Sequence, residues 1–223
     1  MRIDLDMPVS CADGDYGALA DVVIDLATRR LTHLVVAPHD RQDQPRLVPI
    51  DGAYGGDGPE GISLAYTVAE ISQSEPIQES AYVRPGELPA AGSDWAVGIQ
   101  EIYSMPESGS LGPEIMGAGV GMEYDQHVAV SYHRIPADAV EIRRASPVTS
   151  ADGHQLGHVV GFVLDDDQRI TRLVVEHGHL WGKRMVAIPG SAIDRFETDE
   201  LILSLTGDEV GDLKPLPAHH SGS

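Results

Sequence analysis

A chain of 223 residues with 42% hydrophobic content has enough apolar material for a folded core, and its single cysteine, Cys11, excludes an intrachain disulfide. A formal net charge of −20 sets the surface against phosphate backbones and anionic bilayers, so neither nucleic acid nor a membrane is expected as a partner. Solubility alone would also account for that charge.

No window approaches the roughly 18 apolar residues of a membrane span. The opening MRIDLDMPVS lacks the apolar core of a signal peptide, so a cytoplasmic protein is expected. Only 5% of the residues are aromatic, which predicts cores of Val, Leu and Ile.

From the N-terminus, Ile3 and Leu5 alternate with Asp4 and Asp6, as in a strand with one wet face. Asp13-Gly14 marks a turn, and Gly17 leads into the apolar, β-branched run Leu19–Ile24. Asp25 opens a tight connection to Leu31–Val36, giving a hairpin. Arg46–Ile50 and Ile62–Tyr66 read as two more short strands around the Gly-rich connection DGAYGGDGPEG. Thr67-Val68-Ala69-Glu70 then has the T-x-x-E spacing of a capping box, in which a Thr hydroxyl and a Glu carboxylate satisfy the free amides of a helix start.

The same series returns near the C-terminus. Ile142 corresponds to Ile3, Asp152-Gly153 to Asp13-Gly14, Gly157 to Gly17 and Asp165 to Asp25. Thr171, Leu173, Val174 and Val175 correspond to Thr32, Leu34, Val35 and Val36. Arg184–Ile188 stands for Arg46–Ile50, Leu201–Leu205 for Ile62–Tyr66, and Thr206-Gly207-Asp208-Glu209 repeats the capping box. The repeat predicts an N-terminal unit over 1–79, a connecting arm over 80–138, a C-terminal unit over 139–217 and a disordered tail over 218–223. Each unit is small enough that docking of the two would add needed stability.

The arm is rich in Gly and Pro, yet it holds three of the six methionines (Met105, Met116, Met122) and Trp95. Trp95–Ile99 and Val128–Tyr132 could each pair as strands. That is more large apolar surface than a plain linker carries, so the arm is expected to pack on a barrel or on a second chain.

The DG turn, the Gly-led strand, the hairpin at an Asp and the T-x-V/L-V-V strand resemble the PRC-barrel family. The second copy is the closer match, notably in GHLWG followed by a basic pair and a V-x-I-P strand; the first carries APHDRQDQPRLVPI there instead. The two copies cover about two thirds of the chain. The resemblance implies an all-β fold of two small PRC-type β-barrels, each ending in a short helix. It further implies adaptor-like protein binding rather than catalysis.

Duplication also sorts residues: a type shared by both copies specifies the fold, and one present in a single copy is free for function. By this test Asp13/Asp152, Asp25/Asp165, Gly14/Gly153 and Glu70/Glu209 belong to turns and caps. No nucleophile elbow, P-loop or dinucleotide fingerprint occurs, and Cys11 aligns with Ser150 as a small strand residue, so no catalytic residue and no cofactor are expected. His177 and His179 would share one face of a strand, a possible metal pair, but without a further ligand at an established spacing no metal is expected. The protein-binding candidates are His179, Trp181, Lys183 and Arg184, a loop absent from the first copy that sets a Trp beside a basic pair. Against this, Trp181 could cap its own barrel while Arg184 pairs with a local acid. The expected function is therefore a non-catalytic, self-associating interaction or scaffold protein, with a homodimer as its simplest assembly. The alternative is a sensor of a small ligand or metal ion in the cleft between the barrels.

Overall fold

The structure is a computed structural model that describes residues 1–40, 43–55, 61–74, 76–84, 87, 93–104, 128–177 and 184–216. The described residues are mostly β-strand, with two short α-helices. Two seven-stranded sheets curl into barrel-like units, and a three-stranded sheet lies against the first of them.

In chain order the first unit contains β2 (Pro8–Cys11), β3 (Gly14–Asp25), β4 (Arg30–Pro38), β5 (Arg46–Pro49), β6 (Ala53–Gly55), β7 (Ile62–Leu64) and helix α1 (Val68–Gln73). Its strands run in the order β5-β4-β3-β2-β7-β6. The connection β2–β7 is parallel and the other pairings are antiparallel. The second unit contains β12 (Pro147–Thr149), β13 (Gln155–Leu164), β14 (Ile170–His177), β15 (Arg184–Pro189), β16 (Ile193–Glu197), β17 (Glu200–Leu203) and α2 (Gly207–Gly211). Its order, β15-β14-β13-β12-β17-β16, is the same plan. The Gly-rich connection of the first copy contributes β6, the counterpart of β16, which the strand pattern did not reveal.

The seventh strand of each sheet comes from the other half of the chain. β1 (Arg2–Asp4) pairs with β13, so that Ile3 stands opposite Phe162. β11 (Ala139–Arg143) pairs with β3, so that Ile142 stands opposite Val22. Ile3 and Ile142 are both fully buried, and the buried residues of the two units form one continuous apolar cluster. Burying a Val, Leu or Ile side chain contributes about 1.5–3 kcal/mol, so neither unit keeps its full core without the other's strand. Further bonds cross the same junction. The Arg29 guanidinium donates to the carbonyls of Ile193 (2.8 Å) and Asp194 (3.0 Å), and the Gln168 amide donates to Asp51 (2.7 Å).

Local devices recur in both copies. A Cβ added at Gly17 would lie 1.9 Å from the Ala37 carbonyl oxygen, and one at Gly157 would lie 1.9 Å from that of Glu176. Only glycine lets the long strand pass so close to its hairpin partner. Both capping boxes form, Thr67 with Glu70 and Thr206 with Glu209. The turn aspartates add a further bond across the unit: Asp13 accepts from the Val68 amide at 2.8 Å, and Asp152 from the Gly207 amide at 3.1 Å. Hydrogen bonds from the Ser150 hydroxyl, the Gly207 amide and the His154 ring hold the Asp152 carboxyl down at about 2.

The arm contributes β8 (Gln78–Val83), β9 (Trp95–Ser104) and β10 (Val128–Pro136), in the order β8-β10-β9. Two of these strands were anticipated, and they pair with each other. Ile77 and Ile135 pack on Val23 and Val35, which point out of the first barrel, to make a second small core. The arm thus packs on a barrel of its own chain. Met105, Met116, Met122 and the tail lie outside the described residues.

Candidate functional site

The outer face of β3 and β11 is where the arm sheet sits, and it is acidic as well as apolar. On β3 the side chains of Val22 and Ile24 enter the barrel core, which turns Asp21 and Val23 outward. Across the ladder Asp21 stands opposite Arg143 and Val23 opposite Glu141, so Glu141 and Arg143 share that outward face. On β10, Ile135 meets the barrel within the small core, and His133 lies on the same side of its strand.

The arm sheet therefore buries Asp21, His133 and Glu141 together. One ligand-capable atom from each lies within 4.8 Å of the others. Asp21 is 8% exposed and Glu141 is 0% exposed. His133 Nδ1 lies 2.6 Å from Glu141 Oε1. Gly98 of β9 completes the enclosure: a Cβ there would lie 2.4 Å from Glu141 Oε2, so the carboxylate in this position lies against a bare backbone.

Burial pushes the Asp21 carboxyl up to about 7, helped by the neighbouring Glu141 charge and opposed by His133 and Arg143. Two carboxyls this close do not both ionise readily, so Asp21 keeps its proton to higher pH than an ordinary carboxyl does. Arg143 offers partial compensation only, because its Nη2 donates to Asp199 of the second unit at 2.5 Å. Its buried Nε has no hydrogen-bond partner among the described residues. Such an arrangement can store a proton or exchange it for a cation.

The loop singled out by sequence is only partly described: His179, Trp181 and Lys183 lie outside the described residues. Arg184 opens β15, stands opposite His177, and donates from Nη2 to the Gly211 carbonyl at the end of α2 at 2.6 Å. Arg46 does the same for the Ser74 carbonyl after α1. Arg184 thus has a fold-supporting bond shared by both copies, and it meets a carbonyl rather than the local acid anticipated as the alternative. The His177 ring donates from Nδ1 to the Leu156 carbonyl at 2.8 Å. Cys11 is buried, and burial together with the Asp13 charge pushes its thiol pKa up, the opposite of what a nucleophile needs.

The buried cluster escaped the sequence reading, although a signal for its core was present. Asp21 interrupts the apolar run Leu19–Ile24, and its counterpart in the second copy is Gly161. By the sorting of shared from unshared residues, Asp21 is an unshared acid at a core position. His133 and Glu141 carry no such mark.

Among the described residues, no helix is long and apolar enough to cross a membrane. No protein-family model matches the chain, and no curated protein is similar to it.

Proposed function

We propose that this chain is a non-catalytic interaction scaffold, built on two PRC-type barrels and assembling first of all with a second copy of itself. The observation that carries this reading is the arm sheet. It closes neither barrel, and it presents an anchored aromatic on its far side. Tyr132 and Arg134 alternate with His133 and Ile135 and so face away from the barrel. The Arg134 guanidinium lies 4.6 Å from the centre of the Trp95 ring and pairs with Glu79 at 3.0 Å; the Tyr132 hydroxyl donates to Glu79 at 2.8 Å. Trp95 remains 37% exposed. A Trp held in place by a guanidinium is the residue pair that most often dominates interface energy, because little side-chain entropy is left to lose on binding.

The loop containing His179, Trp181 and Lys183 is a second contact in this reading, held at its base by the Arg184–Gly211 bond. Light scattering on the eluting protein at micromolar concentration tests the proposal. Wild type should run as a dimer, and Trp95→Ala and Trp181→Ala should each weaken it by about tenfold or more. A wild-type monomer, or a dimer indifferent to both substitutions, overturns it.

A further inference from the structure

We propose that Asp21, His133 and Glu141 form a binding site for a divalent first-row cation of the zinc type, which fastens the arm sheet to the first barrel. The site is independent of the scaffold reading, since it faces the barrel and not the partner side.

The donor set points to this class of ion. Two carboxylates and one imidazole suit a borderline cation; the imidazole disfavours magnesium and calcium, and no thiolate joins the set to favour a softer ion. Donor atoms about 2 Å from a tetrahedral ion stand roughly 3.3 Å apart. The observed spread, within 4.8 Å, is wider, so the donors would have to draw together on the ion. Three protein ligands would leave a fourth position for water, as at exchangeable zinc sites.

The environment supplies the driving force. Asp21 and Glu141 are buried together, with the nearby cation Arg143 already committed to Asp199. A divalent ion offsets both carboxylates at once. The three ligands come from β3, β10 and β11, so the ion would tie together two sheets that also meet through the small core of Val23, Val35, Ile77 and Ile135.

The test uses the full chain, stripped with a chelator, loaded with Zn2+ at slightly alkaline pH and desalted before elemental analysis. Because the chain has ten histidines, the readout is the difference between wild type and variants. Asp21→Asn, His133→Gln and Glu141→Gln should each retain one ion fewer than wild type, with affinity at the site weakened more than about tenfold. Zn2+ should raise the melting temperature of wild type and not of Asp21→Asn, whose side chain is near-isosteric with the protonated acid. Co2+ should give visible absorption bands in wild type that are absent from the variants. No ion retained by wild type, or equal ion content in wild type and a folded Asp21→Asn, overturns the proposal.

Discussion

The two seams where strands are exchanged between the barrels are both antiparallel pairings, and their chemistry is opposite. At the second barrel, β1 lays Asp4 opposite Gly161 and Arg2 opposite Val163. At the first, β11 lays Arg143 opposite Asp21 and Glu141 opposite Val23. Acid and base have traded places between the two added strands. Where the second seam has glycine, the first has a buried acid. The arm sheet explains why the difference matters. The Arg2–Asp4 pair stays partly exposed, its side chains 22% and 34% accessible, and water screens it. Asp21 and Glu141 are covered, so every charge there must be compensated by a neighbour or by a proton. One repeated scaffold thus holds a plain joint and a charged one.

The largest effect should come from making the plain seam resemble the other. A Cβ at Gly161 would lie 2.2 Å from the Ile3 carbonyl oxygen, so Gly161→Ala should push β1 off its sheet and cost about 3 kcal/mol in denaturant unfolding. A variant as stable as wild type would mean that β1 does not bind there.

Next comes the charge at the first seam. Asp21 has a folded pKa near 7, above its ordinary carboxylate range, with Glu141 and Arg143 facing it from β11 and His133 from β10. The folded state therefore binds more protons than the unfolded state across that window. Its stabilising contribution is complete below the ordinary range and is lost as pH rises through about 7. Metal-free wild type should therefore lose stability over that rise. Asp21→Asn should lose much less and should exceed wild type in stability at alkaline pH. Parallel pH profiles would contradict this assignment.

Thr67→Ala and Thr206→Ala should each cost about 1 kcal/mol, and equally, because both capping boxes form in full. A clear inequality would show that the duplicated helices are not equivalent. Smallest of all, Asp4→Asn should change stability by less than about 0.5 kcal/mol, against the larger pH-dependent effect of Asp21→Asn.

Much of the barrel plan was legible because its signals are local. The Thr-x-x-Glu caps, the aspartate-led hairpins and Gly17 with Gly157 each act through residues close in sequence or next across a hairpin. Their recurrence in a second copy reinforced each reading. The strands Trp95–Ile99 and Val128–Tyr132 were visible for the same reason, while β6 and β8 were hidden in stretches without clear alternation. The loop with Trp181 stood out by composition alone. Arg184 shows the limit of that reasoning, since its bond to the Gly211 carbonyl follows from the position of α2 and not from its neighbours in the chain.

The sequence by itself determined that there are two β units, where their turns lie and how each helix begins. Only the tertiary structure decided which unit each added strand joins. Ile3 and Ile142 alternate equally well with polar neighbours, and alternation specifies a face without naming the edge that will pair with it. Packing settles that choice: β1 fits over Gly161, and β11 sets Arg143 opposite Asp21 beneath the arm. The cluster of Asp21, His133 and Glu141 belongs wholly to that second level. Asp21 is separated from the other two by more than half the chain, and only the fold of the arm sheet onto β3 and β11 makes them one site.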